Sequence, residues 1–435
     1  MNLADKIISC YFLDRLVLVG FFVSATYSIL LWSPYIAGKF IYYRDQIIFF
    51  LIPWILLWPS KKLDLLKDKE YRLHILLIVA IIILGIINTK NSDDPTSTFI
   101  HMPLFLSSGV MILWASMFLM LDRRHVKIFD WFCCICIAVI ACVEITAHIF
   151  RDPISMNLFA IFAVNPIPLG SMLILLSPGL ARLFASGTSG NRRLLAAAGV
   201  LSCLWASLLL LTNKRGTYQG LIAVGLTWLS LKKLRFGLAA TIIIIITILL
   251  IPLAGLITYK SLDQNIISHY NILYRLECYP FALHIFKKNP VMGTGLRPFT
   301  HEKYLSDYQD YFNLTRFQRT LRRIQTFDNM LLTAFVELGS LMSLSYLALI
   351  GLIIVKYYRR LPLLAEGRGL DLYRLAALIG FTVSSMTYDS LLFPPVNWLF
   401  HMQLGILAAS AHTPAPYVSV PMNTWRPQSN RLCNQ

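Results

Sequence analysis

Long apolar runs recur down the whole chain, and no other feature limits its fold so strongly. Runs of spanning length fall at about 16–34, 41–59, 73–89, 102–121, 128–149, 162–184, 194–212, 217–231, 237–258, 329–355, 374–391 and 396–412. Inside a bilayer each backbone N–H and C=O must find its partner within the protein, so runs of this length predict helices. Composition agrees. Of 435 residues, 57% are hydrophobic and 14% charged, with a mean hydropathy of +0.62. A soluble domain carries about 25% charged residues. The expected fold class is all-α, a polytopic membrane protein of about twelve transmembrane helices. The first run reads as a retained span, with no cleavable signal peptide before it.

Short loops set the expected orientation. The stretches at 61–72, 122–127 (DRRHVK), 189–193, 232–235 (KKLR) and 356–360 (KYYRR) are basic, whereas 89–99 and 151–155 on the alternate side are poorer in Lys and Arg. The positive-inside rule puts the basic loops and both termini in the cytoplasm. Trp54, Trp58, Trp131 and Trp398 read as interfacial aromatics of the same layout. The domain plan is then 1–258 for helices one to nine, 259–327 for an outer loop domain, 328–412 for helices ten to twelve and 413–435 for a cytoplasmic tail. Eight cysteines fall mostly in apolar runs or near the ends, with neither a disulfide framework nor zinc spacing. The net charge of +17 suits anionic lipid headgroups and equally an anionic substrate.

The loop at 259–327 has internal order of its own. PFALHIFKK (280–288) opens with a proline and closes with lysines, as a short helix does, and NPVMGTG (289–295) forms a turn. From Tyr304 to Ile324 apolar residues recur every three or four positions, so this stretch predicts an amphipathic helix able to lie on the membrane or cover a cavity. Arg316, Arg319 and Arg323 make a second stripe on it. The loop holds 10 Lys and Arg against 5 Asp and Glu, a surplus of 5. Loops of this length escape the positive-inside rule, which is one explanation; a guanidinium site for a phosphate-rich headgroup is the other.

Ionisable residues at mid-bilayer cost at least ~2.5 kcal/mol each, so those near spans ask for a role. Arg215 stands in LLLLTNKRGTYQG (208–220), where it either snorkels to the surface or holds a fixed cation beside a cavity. Arg275, in YNILYRLECYP (270–280), either pairs with a carboxylate such as Glu277 or does the same. Asp328 and Asn329 begin the tenth run; Asp328 suits a helix N-cap or, at a cationic rim, a general base. Asp389 comes from another helix end and is placed to approach the same cavity. Glu337, deeper on the tenth helix, suits a hydrogen bond inside the bundle, and Glu144 suits His148 at i+4. The notable charges thus gather on the outer face. Cationic donors facing a diphosphate can stabilise its departure without a metal, so no metal and no cofactor are expected.

At these residues the chain resembles the O-antigen ligase and polymerase superfamily of bacterial envelope glycosyltransferases. LTNKRGTYQG looks like that family's Ser/Thr-Arg-Gly hairpin, YRLECYPFALHIFKKNPVMGTG (274–295) like its Arg-bearing loop helix ending in Pro-x-x-Gly-x-Gly, and FDNMLLTAFVELGSL (327–341) like its His-Asn…Glu-x-Gly motif. The resemblance implies a bacterial inner-membrane enzyme with a periplasmic active site and an undecaprenyl-pyrophosphate-linked glycan as donor. It implies that Arg215 and Arg275 hold the pyrophosphate and that the residue before Asn329 is the base. Asp328 departs from the histidine that many ligases carry there. The expected function is inverting transfer of the glycan to lipid A–core. A polymerase that uses a second lipid-linked unit as acceptor is the alternative, and a lipid-glycan transporter is the alternative of another class. Arg316, Arg319, Arg323, Asn329 and Asp389 complete the expected substrate-binding set. Membrane lipids are expected partners; nucleic acid is not.

Overall fold

The computed structural model describes residues 19–20, 69–150, 166–188, 191–212, 215–232, 279, 281–296, 327, 329–360 and 368–412. The described residues fold into α1 (Lys69–Asn91), α2 (Pro95–Ser108), α3 (Val110–Leu119), α4 (Arg123–Phe150), α5 (Pro166–Thr188), α6 (Arg192–Thr212), α7 (Arg215–Lys232), α8 (Met330–Arg360), α9 (Arg368–Ser385) and α10 (Pro394–His412). A short helix over 281–288 and a 3-10 turn, Ser390–Leu392, complete the set, and no strand occurs among these residues.

Six stretches are long and apolar enough to cross a membrane: Tyr71–Asn91, Pro95–Leu119, Arg123–Glu144, Pro168–Thr188, Arg192–Leu210 and Met330–Arg360. Helices α7, α9 and α10 stand where further spans are expected but carry more polar residues. The second and ninth expected spans, and the first apart from residues 19–20, lie outside the described residues. On α1, Leu73, Leu76, Ile83 and Ile86 are exposed apolar side chains on a helix whose other face packs inward, the pattern of a lipid-facing stripe. The chain is a helical membrane protein.

Helix α10 is the axis of the bundle: every residue from Pro394 to Ala411 is buried. Helices α2, α3, α5, α8 and α9 pack around it, while α1 lies against α8, α7 against α9, and α4 and α6 against α5. Trp398 is part of this core, tilted over Phe129 with ring centroids 6.1 Å apart, so the interfacial role expected for it is overturned. Trp131 is exposed, as an interfacial residue should be.

Two expected spans change shape. The run at 102–121 is the joined pair α2–α3, begun by an Asp94 side chain that accepts from Ser97 N at 3.0 Å and by Pro95 in the first turn. It breaks at Gly109, where Asn397 Nδ2 donates to Phe105 O at 2.9 Å and replaces the lost helical partner. The run at 374–391 is helical only to Ser385; a corner from 386 to 393 follows, containing the 3-10 turn. Pro178 inside α5 has no N–H for Ile174 O, and Ser177 Oγ takes that carbonyl at 2.7 Å.

Candidate active site

Helix α8 is interrupted at Gly339, whose φ of 76° and ψ of 168° no side-chain-bearing residue adopts without strain. An intact helix would bond Ser340 N to Val336 O and Leu341 N to Glu337 O. The turn at 290–295 supplies both halves of what the break removes. Thr294 N and Gly295 N each donate at 3.0 Å, to Val336 O and Glu337 O. Ser340 N and Leu341 N donate to Pro290 O at 2.9 Å and Val291 O at 3.3 Å. Gly293, with φ 73°, sits so close to Gly339 that a Cβ on either would collide with the other segment's backbone. The Pro-x-x-Gly-x-Gly turn is therefore a plug for the broken helix, which is how irregular backbone survives inside a membrane protein. The short helix before it and the turn itself appear where the sequence puts them.

Ties from α1 and α2 hold the plug. Ser92 Oγ donates to Thr294 O at 3.0 Å, Asp93 N to the same oxygen at 2.9 Å, and Asn88 Nδ2 to Met292 O at 2.5 Å. Thr98 Oγ1 lies 2.7 Å from Ser92 Oγ, which fixes the end of α1 to the start of α2.

Beside the break lies a cavity of about 120 Å³, lined by α8 on both sides of Gly339, the end of α9, the 386–392 corner, Leu296, Phe105 and Phe400 of α10. Its walls are largely apolar, and two buried carboxyl groups, Glu337 and Asp389, line it. Thr333 Oγ1 donates to Asp389 Oδ1 at 2.7 Å, so one turn of α8 grips the corner between α9 and α10. Asp389 thus meets α8. Glu337 faces the same cavity, which sequence spacing had separated from the rim. A carboxylate beside a cavity can accept a hydrogen bond or a proton from a hydroxyl group brought there.

Asn329 caps α8: its Oδ1 accepts from Leu332 N at 3.0 Å, and its Nδ2 donates to the Tyr279 hydroxyl at 3.4 Å. A helix cap, one of the two readings offered for Asp328, is made here by its neighbour Asn329. Asp328 itself lies outside the described residues, as do Arg275, Arg316, Arg319, Arg323 and the expected helix from Tyr304. The proposed partner of Glu144, His148, has a side chain outside them too.

Arg215 opens α7, and its backbone is described though its side chain is not. The next residue explains the location. A Cβ on Gly216 would run into Thr387 Oγ1 and meet Ser384 O at 3.3 Å, and one on Gly220 would meet Gly380 O at 2.7 Å. Small residues four apart let α7 lie directly against α9, the usual way membrane helices approach. The start of α7 therefore abuts the 384–387 segment, next to Met386 and Asp389 of the cavity wall.

Residues 197–347 match the family described as O-antigen ligase. The chain carries an O-antigen ligase/polymerase superfamily domain. No curated protein matches the chain. The matched stretch holds α7, the plug and the first half of α8; of these, α8 lines the cavity, the plug bonds to the break in α8, and α7 lies against α9 beside the 384–387 segment. Members are glycosyltransferase-like enzymes that act on lipid-linked glycans. Asp389 and α1 lie beyond the matched stretch. Among the described residues, no group of three or more His, Cys, Asp or Glu side chains converges.

Sequence reading missed a second polar centre. Arg374, 1% exposed, donates to Asp130 through Nη2, to Asp371 Oδ1 at 3.0 Å and to Gln403 Oε1 at 2.6 Å. Arg182 joins Asp130 at 3.1 Å, and Arg123 joins Asp371 at 3.1 Å and Ser410 at 3.2 Å. This cluster binds α4, α5, α9 and α10 together toward the opposite end of α9 from Asp389. Notable charge is therefore not confined to one face. Asp130 and Arg374 stand at the starts of the expected spans 128–149 and 374–391, where a lone charge reads as a span-end residue, so the sequence offered little signal for them.

Proposed function

We propose that the chain is an inverting glycosyltransferase that moves a glycan from undecaprenyl pyrophosphate to lipid A–core at the periplasmic face of the bacterial inner membrane. The acceptor hydroxyl attacks the anomeric carbon, a carboxylate takes its proton, and the sugar–phosphate bond breaks as undecaprenyl pyrophosphate leaves. Asp328 is the proposed base. Arg215 and Arg275 are proposed to carry the charge of the departing diphosphate, with no metal required. Arg316, Arg319 and Arg323 are proposed to receive phosphate groups, and Asn329 and Asp389 to orient the acceptor.

The observation that supports this reading is the cavity beside the plugged break of α8, where Glu337 and the Thr333-held Asp389 line the wall and the start of α7 abuts the adjoining 384–387 segment. Asp328 immediately precedes the cap Asn329 in the sequence.

Incubation of purified protein with a defined lipid-pyrophosphate glycan, with and without lipid A–core and in excess chelator, tests the donor, the acceptor and metal independence together. Product on lipid A–core in the presence of chelator is expected. Extended lipid-linked chains would instead favour the polymerase reading, which Asp328 in place of the ligase histidine supports. No product from either acceptor would overturn the transferase.

A further inference from the structure

Asn88 belongs to α1, outside the matched stretch, and no motif marks it. Its side chain is nevertheless the bridge between three segments: Nδ2 donates to Met292 O of the plug at 2.5 Å and to Glu337 O of α8 at 3.0 Å. The residue is 2% exposed, and among the described residues its Oδ1 has no hydrogen-bond partner. A buried acceptor left bare is unfavourable, and an apolar side chain would fill the place without that cost. What the amide adds is a pair of donors aimed at two carbonyls of different segments.

Glu337 O is the acceptor that the break at Gly339 deprives of its helical partner. Gly295 N gives it one replacement and Asn88 the other. Together they set the direction of the first half of α8 against the second. That half-helix carries Asn329, Thr333 and, through Thr333, Asp389. We propose that Asn88 is a positioning residue for glycan transfer: it holds the broken helix at the angle that aims the cavity carboxylates, without touching substrate. This rests on the transferase reading above. Loss of the bridge leaves the plug its own backbone bonds, so the site loosens while the fold stands. A displacement of about 1 Å at reacting groups lowers a rate about 100-fold.

Asn88→Asp keeps the shape and removes the donors, Asn88→Leu removes both donors and acceptor, and Asn88→Gln keeps the amide. The expected result is a kcat lowered about 100-fold in the first two, with donor KM within about threefold, and partial recovery in Asn88→Gln. Hydrogen exchange over 336–342 should quicken at least about tenfold in Asn88→Leu, with α4 and α5 unchanged. Parental kcat in both Asp and Leu variants would overturn the proposal. So would a loss of activity matched by faster exchange throughout the bundle, since that marks a general structural role. If the parental protein transfers no glycan, the transferase reading falls by itself. Exchange then decides the bridge: unchanged exchange at 336–342 overturns it, and quickened exchange there supports it.

Discussion

The two buried polar centres of this molecule lie at opposite ends of α9 and solve different problems. From Arg374 to Ser385, eleven residues apart, is roughly 16 Å at 1.5 Å per residue. At one end Asp130, Asp371 and Arg374 are packed with Arg182, Arg123, Gln403 and Ser410, and charge answers charge with no lining role in the cavity. At the other end the polar groups surround the 120 Å³ cavity and a helix is broken to make room. The first arrangement holds helices together. The second keeps carboxylates beside an empty space, which is where chemistry can be done.

That contrast can be broken by mutation. The largest effect should come from Arg374→Ala, which takes from two buried aspartates the buried arginine they share, leaving them only the partly exposed Arg182 and Arg123, and is expected to remove about 3–5 kcal/mol of stability. Thermal unfolding in detergent and membrane yield would show it; an unchanged melting profile would mean that the cluster is no staple. Asp328→Ala should do the reverse, lowering glycan transfer at least ~100-fold with an unaltered melt. A folded Asp328→Ala protein that transfers at the parental rate would remove the base assignment.

Smaller effects sharpen the picture. Gly339→Ala places a Cβ against Val291 O and strains the backbone by about 1–2 kcal/mol. Proteolysis within 281–296 should quicken as the plug loosens, and equal resistance would show that the break does not depend on glycine. Thr333→Val removes a hydroxyl that donates to Asp389 and is expected to weaken the α8 corner by about 1 kcal/mol. Slower transfer with little change in melting would mark the contact as part of the site. Arg123→Ala, whose side chain is 37% exposed, should change stability by no more than ~1 kcal/mol, which sets the outer edge of the staple.

Much of the fold could be read before the structure. Nine expected spans coincide with described helices because apolar length and helix are linked by a local requirement, and the 281–288 helix and its turn carried their own proline, lysine and glycine signals. The site was legible in part. Asp389 lies against α8 and the start of α7 against 384–387, but Glu337, placed by spacing away from the rim because spacing alone implies a straight α8, lines the cavity. Trp398 was assigned to an interface because nothing in a lone sequence tells an aromatic at a span end from one on a helix wrapped on all sides. The ionic cluster escaped because Asp130 and Arg374 are 244 residues apart and each, alone, looks like a span-end charge.

What the sequence by itself determined is the inventory of helices: a backbone in lipid must bond to its neighbours four residues away, and apolar length reports that directly. What only the tertiary structure decided is where that rule is broken. Gly339 can leave the helix because the plug, 42 to 50 residues earlier (Thr294 to Val336 and Pro290 to Ser340), offers substitutes, and because Asn88, 249 residues from Glu337, offers another. Hydrogen bonds between segments so distant in the chain have no local signature, so the break, the cavity beside it and the carboxylates that line it belong to the packing alone.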